Sequence, residues 1–351
     1  MSNTAFVPLV ELTRGNLVES LHSGCAAVVD ASGNLLAALG DPHYVTFLRS
    51  SSKPFQILPL LENGGAEAFR LTERDIALMC ASHSGTDEHL AAILDLQKKV
   101  GVQESDLLCG THPVYHQPTQ EALLRRGESP TPNRHNCSGK HTGFLAQAVL
   151  RSLPKDDYIH PAHPVQQSVL QTFAEMVNYP VEKVVIGIDG CSAPVFAVPL
   201  YHAAWGLARL ADPRGLPEER AEACRRVTRA MAAEPFMVAG PDRFDTLAME
   251  AGQGKFICKA GAEGYQAIAV MPGALGENSP AFGIAFKVAD GDPAGRARPV
   301  IAVEILRQLG LLTQEDIRTG LAKVAARPLT NWRGLEIGEI RPVFRLNLNW
   351  G

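Results

Sequence analysis

Arg49-Ser50-Ser51-Ser52-Lys53-Pro54-Phe55-Gln56 sets a serine three residues ahead of a lysine, where a polar turn becomes an apolar helix. Residues i and i+3 share a helix face, so one turn brings the Ser50 hydroxyl and the Lys53 amine together. A neutral Lys53 would take the Ser50 proton and leave an alkoxide-like nucleophile. Pro54 suits the first turn of a helix, and Phe55, Ile57, Leu58, Leu60 and Leu61 supply the apolar side chains that would bury it. The competing reading is a serine-rich N-cap followed by a surface lysine. The same spacing recurs at Ser152-Leu153-Pro154-Lys155, but there a proline lies within the pair and Asp156-Asp157 follow. That copy predicts an exposed turn with a solvated lysine.

Outward from this helix, the order of elements predicts an α+β fold of the β-lactamase and penicillin-binding-protein type. Residues 25–30 and 35–40 flank Ala31-Ser32-Gly33-Asn34 and read as a β-hairpin. Between Thr72 and Met249 the pattern is mainly helical, with helices expected over 86–100, 139–150, 165–177, 197–210 and 217–233 and one strand over 184–188. Apolar runs over 255–261, 265–270 and 281–288, separated by Gly-containing turns, read as antiparallel strands; a helix over 299–309 and a further strand within 337–346 follow. Strands from both chain ends would then form one antiparallel sheet beside a large helical lobe. The expected organisation is a single catalytic unit over 1–351, with a sheet-containing lobe at 1–70 and 255–351 and a helical lobe at 71–254.

Composition narrows the function classes. The chain has 351 residues, 46% of them apolar, enough for a large core. Thirty-three basic against 37 acidic residues give a formal charge of −4, without the basic excess of a nucleic-acid binder. No uninterrupted apolar run is long enough to predict a membrane span. Met1-Ser2-Asn3-Thr4-Ala5-Phe6 shows no signal-peptide pattern. The cysteines at 25, 80, 109, 137, 191, 224 and 258 are odd in number and include no Cys-x-x-Cys pair, so reduced thiols in a cytoplasmic protein are expected.

Several other segments carry chemistry. Ser-x-x-Lys is the acylation unit of β-lactamase-type serine hydrolases. Cys80-Ala81-Ser82-His83-Ser84-Gly85-Thr86-Asp87 adds a serine cluster in which Ser84 or Thr86 would cap the next helix, a role that does not account for Ser82 or His83. Phe256-Ile257-Cys258-Lys259-Ala260-Gly261 places a lysine inside an apolar strand, costly unless it is paired or exposed. Ser50-x-x-Lys53, Ser82 in a helical lobe and Lys259-x-Gly261 late in the chain follow the three-part order of that hydrolase group. Ser82-His83-Ser84 in place of Ser-Asp-Asn, and Ala260 in place of Thr or Ser, argue against β-lactam or peptidoglycan substrates. Two Gly-rich stretches, Asn136-Cys137-Ser138-Gly139-Lys140-His141 and Asp189-Gly190-Cys191-Ser192, read either as loops with incidental thiols or as a Zn²⁺ site. In the second case Cys137 and Cys191 are joined by His141 or Lys140, and His141 is chemically favoured because a lysine must first lose its proton.

Together, Ser-Ser-Lys-Pro-Phe-Gln, Ala-Ser-His-Ser-Gly, Cys-Ser-Gly-Lys-His-Thr-Gly, Asp-Gly-Cys-Ser-Ala-Pro and Lys-Ala-Gly-Ala-Glu-Gly resemble the Rhizobium etli type of L-asparaginase. The resemblance implies a serine β-lactamase-like fold, a homodimer and hydrolysis of L-asparagine to L-aspartate and ammonia. It implies two Ser-Lys pairs, Ser50 with Lys53 and Ser82 with Lys259. It also implies a zinc ion on Cys137, Cys191 and Lys140, in preference to His141, that aids substrate binding. Arg49, His83, Asp189 and Ala262 are the substrate-binding residues it implies, with the Ser50 and Ala262 N–H groups as an oxyanion hole. The rival readings are a glutaminase, or another amidohydrolase or esterase of the same fold, and, from a different class, a non-enzymatic zinc or redox sensor built on Cys137 and Cys191.

Overall fold

The computed structural model describes residues 5–349 and divides into two compact units, one built from residues 5–51, 198–212 and 247–349, the other from 52–197 and 213–246. The first unit carries an antiparallel sheet whose strands run, in spatial order, Arg327–Thr330, Glu336–Pro342, Val7–Arg14, Leu17–Asp30, Phe282–Val288, Tyr265–Val270 and Phe256–Gly261. Leu35–Leu39 also pairs with Leu17–Asp30, completing the expected hairpin. Its turn closes because the Asp30 carboxylate accepts the N–H groups of Ser32 and Asn34 and Gly33 supplies φ = 91°. Strands from the two ends of the chain thus share one sheet, as the element order predicts.

Helix Leu200–Ala211 packs on the Leu17–Asp30, Tyr265–Val270 and Phe282–Val288 strands. The approach is so close that a Cβ on Gly283 would stand 1.9 Å from the Ala204 carbonyl oxygen. This packing assigns the helix to the sheet-bearing unit, whereas the sequence reading grouped it with the helical lobe. Among the described residues, four strands escaped that reading: Val7–Arg14, Val45–Phe47, Pro194–Pro199 and Arg327–Thr330. Val7–Arg14 lies at the start of the chain, and Pro194–Pro199 is buried at every position, so it offers no polar alternation to distinguish it from helix.

The second unit is mainly helical: Glu73–Met79, Asp87–Val100, Ser138–Leu150, Pro164–Met176 and Glu218–Ala233 are its principal helices, and the Val185–Ile188 strand pairs with Pro194–Pro199. The helix expected from Ser50 onward is broken into a 3₁₀ turn, Arg49–Ser52, and two short α-helices, Lys53–Gln56 and Leu58–Glu62. Pro54 and Pro59 cannot donate to the preceding turn, which favours such breaks. The division between units falls inside this run, after Ser51. Ser138–Leu150 lies against Glu73–Met79, and a side chain at Gly139 would meet the Leu78 carbonyl oxygen at 2.0 Å. Glycine at 139 therefore sets how closely the segment bearing Cys137 and Lys140 approaches the helix that leads to Ser82.

Among the described residues, no helix is long and apolar enough to cross a membrane. The second Ser-x-x-Lys copy lies at a surface turn, where Lys155 pairs with Asp106 at 2.9 Å.

Candidate active site

In the sheet-bearing unit, the turn carrying Ser50 is anchored to the end of the Phe256–Gly261 strand. Ser51 Oγ donates to the Lys259 carbonyl oxygen at 2.7 Å, and Gly261 leaves no room for a side chain because its Cβ would stand 2.4 Å from the Leu48 carbonyl oxygen. Arg49, immediately before Ser50, is held at φ = 52°, a left-handed conformation unfavourable for a long side chain. Strain of this kind concentrates at functional sites. Lys259 is buried and donates to the Ala260 carbonyl oxygen at 2.8 Å. Ala262 opens the turn that follows, in which Glu263 has φ = 59°.

In the helical unit, Lys53 is 1% exposed, and its Nζ donates to Ser82 Oγ at 2.9 Å and to the Ala81 carbonyl oxygen at 2.5 Å. The Ser-x-x-Lys spacing suggests Ser50 as the partner of Lys53; the hydrogen bond found here joins Lys53 to the second serine. Spacing shows that a serine and a lysine can meet, but a four-carbon side chain reaches groups far away in sequence as easily as its own turn.

The bend bearing Ser82 is fixed from several sides. Ser82 N–H donates to the Val238 carbonyl oxygen at 2.9 Å, and Ser84 Oγ to that of Ala239 at 2.7 Å. His83 Nδ1 accepts the Gly85 N–H at 3.1 Å, which leaves Nε2 protonated and donating to Ser138 Oγ at 2.9 Å. Ser138 in turn donates to the Asn133 carbonyl oxygen at 2.9 Å. The ring stacks on His89 at 5.0 Å, and His89 stacks on Phe236 at 4.9 Å. Burial, then the nearby His89 and Lys53, push the His83 pKa well below the usual histidine range. Both nitrogens of this neutral ring are occupied by protein, so its direct effect is to hold the Ser82 bend. Thr86 caps the next helix through the His89 N–H, the capping role expected of it.

Cys137, Lys140 and Cys191 also meet in this unit. Lys140 Nζ donates to Cys191 Sγ at 3.0 Å, and all three residues are buried. The hydrogen bond from Cys137, followed by the charge of Lys140, holds the Cys191 thiol well below its ordinary pKa despite burial. The same sulfur–sulfur hydrogen bond, with burial, raises Cys137. Burial alone would lower Lys140, but the Cys191 and Cys137 sulfurs outweigh it and raise the ammonium pKa. Two sulfurs and an amine form a donor set suited to a borderline-soft cation once the amine and thiol lose their protons. His141 Nδ1 is engaged with Tyr158 Oη at 2.6 Å, and the same ring lies close enough to Cys191 for the two to shift each other's protonation. Among the described residues, no three His, Cys, Asp or Glu side chains are grouped to hold a metal. Beside the two sulfurs stand both candidates the sequence offered, the Lys140 amine, which donates to Cys191, and the His141 ring, which helps hold the Cys191 thiol down. Asp189 precedes Cys191 by two residues, and its carboxylate accepts the Gly190 N–H at 2.8 Å.

Sequence reasoning missed Ser138 as the acceptor for His83, although it lies within the Cys-Ser-Gly-Lys string. It also missed Tyr158, the partner of His141, which carries no local motif.

The L-asparaginase II family model matches residues 10–342. The chain belongs to the L-asparaginase II family. Membership places this asparaginase II family protein among the amidohydrolases. No curated relative matches its sequence. Among solved structures, it is similar at 13% identity to a probable glutaminase from Bacillus subtilis complexed with 6-diazo-5-oxo-L-norleucine, with 82% of this chain and 85% of that chain covered and a TM-score of 0.38. A covalent complex of a Bacillus subtilis glutaminase with 5-oxo-L-norleucine also matches at 13% identity, covering 82% and 88% at a TM-score of 0.37.

Proposed function

We propose that the protein is an L-asparagine amidohydrolase with a serine β-lactamase-like catalytic arrangement, releasing L-aspartate and ammonia. The observation that carries this reading is the buried hydrogen bond from Lys53 Nζ to Ser82 Oγ, 2.9 Å long, in a member of an amidohydrolase family. A lysine linked to a second serine can pass on a proton taken from the nucleophile.

In the proposed reaction, Ser50 Oγ attacks the side-chain amide carbon and its proton passes to Lys53. The Ser50 and Ala262 N–H groups steady the oxyanion. Ser82, supported by Lys53 and Lys259, gives a proton to the amide nitrogen as the C–N bond breaks, and ammonia departs from an aspartyl ester on Ser50. Water deprotonated by lysine adds to the ester carbon, the ester C–O bond breaks, Ser50 regains its proton, and aspartate leaves. Arg49 and Asp189 orient the substrate, while His83 acts as a positioning residue for Ser82. Cys137, Lys140 and Cys191 would hold Zn²⁺, which as a Lewis acid would help place the substrate's polar atoms.

Ammonia release from L-asparagine, with Ser50→Ala and L-glutamine run in parallel, tests the reading. Turnover of asparagine lost in the variant is expected. Preference for glutamine would reassign the substrate, and no turnover of either amide would refute the proposal.

A further inference from the structure

An α-amino-acid amide presents three recognition elements, its amide, an α-carboxylate and an α-ammonium group, and the reacting residues account only for the first. In the helical unit, Arg243 lies half-buried, with its guanidinium carbon 5.5 Å from the centre of the Tyr115 ring. Among the described residues that ring is its only partner, in contrast to the arginines at 74, 134, 220 and 226, which are paired with carboxylates. A half-buried guanidinium without a counter-ion is costly unless a ligand supplies one. A guanidinium held over a ring in this way makes no ion pair there, and a guanidinium can bind a carboxylate in a two-pronged manner.

The stack leads to the Cys137 segment. Tyr115 stacks on His112 at 4.6 Å, and His112 contacts the His135 ring at 4.4 Å. His112 Nε2 accepts the Asn136 N–H at 3.0 Å, and His135 Nδ1 accepts the Cys137 N–H at 3.0 Å. Burial raises the Tyr115 pKa; Cys137 and Asp189 reinforce that shift and Arg243 opposes it, so the phenol feels all three groups.

We infer that Arg243 is the α-carboxylate anchor of an α-amino-acid substrate, with Tyr115 aiming its guanidinium. This inference rests on the amidohydrolase reading and names a residue that would recognise the substrate's α-carboxylate. Both residues are specificity determinants outside the Ser-Lys machinery.

The test compares L-asparagine with 3-aminopropanamide, which has the same amide and amine but no α-carboxylate, using wild type, Arg243→Gln, Arg243→Lys and Tyr115→Leu. Loss of a charge-assisted contact predicts that Arg243→Gln lowers kcat/KM for L-asparagine about 100-fold, with a much smaller change for 3-aminopropanamide. Arg243→Lys should recover part of the loss, and Tyr115→Leu should fall between. If 3-aminopropanamide turns over too slowly, inhibition by L-aspartate against β-alanine reads the same contrast. Equal losses on both amides, or unchanged asparagine turnover in Arg243→Gln, would overturn the inference while leaving the amidohydrolase reading intact. A wild-type protein that hydrolyses neither amide overturns both.

Discussion

Gly261→Ala is expected to disable the site without touching a reacting group. The new methyl would stand 2.4 Å from the Leu48 carbonyl oxygen and 3.0 Å from Ser51 Oγ. The Leu48 oxygen accepts the Ser51 N–H at 3.1 Å, the hydrogen bond that closes the turn containing Ser50. Ordinary contact at about 3.5 Å requires that backbone to retreat by about 1 Å. A displacement of this size can lower turnover about 100-fold, and overpacking typically costs about 1–3 kcal/mol of stability. The assay is kcat for ammonia release, together with the urea unfolding midpoint. Gly320→Ala is the control, since its Cβ would meet only Ala251 Cβ at 3.4 Å. Gly261→Ala with the turnover and stability of wild type would refute the reasoning that this glycine sets the position of Ser50.

Lys53→Met should lower asparagine turnover by about 10²–10⁴-fold, the usual contribution of a positioned proton-transfer group, whereas Lys155→Ala should leave it unchanged; equal activity of Lys53→Met and wild type would remove Lys53 from the mechanism. Ser138→Ala removes the acceptor for the His83 Nε2–H and should cost about 1–3 kcal/mol, read from urea unfolding, with a fall in kcat if the Ser82 bend loosens. His89 is lowered from 6.5 to about 4, chiefly by burial. The unfolded chain therefore binds its proton first as pH falls, so the stabilisation from the neutral ring is complete above pH 6.5 and declines toward pH 4, by up to about 3 kcal/mol. A urea midpoint that does not decrease over that range would contradict the assignment. Cys137→Ser and Cys191→Ser should each lower the zinc content of purified protein measured by elemental analysis, and substrate affinity should fall with it; full zinc occupancy in both variants would rule out these sulfurs as ligands.

The most legible parts of the chain were those governed by local chemistry. Asp30 and Gly33 specify a tight turn, Thr86 caps a helix at its own N–H groups, and Ser-Ser-Lys-Pro-Phe-Gln marks a helical start with a serine and lysine at one spacing. Period-two and period-3.6 patterns located most of the long helices and the later strands. Pro194–Pro199 was missed because a strand buried on both faces has no polar alternation to reveal it. Helix Leu200–Ala211 was assigned to the wrong partner group because its apolar face is equally suited to a sheet or another helix, and only the space left by Gly283 shows which it covers.

Residue types and their local spacing by themselves determined that this chain carries serines and lysines fit for acyl transfer, and two cysteines beside glycine-rich turns. Tertiary structure alone decided that Lys53 bonds to Ser82, that Lys140 joins Cys191, that His83 spends both nitrogens within the protein, and that Arg243 lies over Tyr115. The physical reason is one of range. Caps, turns and helix faces form between residues a few positions apart, where spacing fixes distance, whereas the Lys53–Ser82, Lys140–Cys191, His83–Ser138 and Arg243–Tyr115 contacts join side chains from 29 to 128 positions apart whose separation is set only when the core packs.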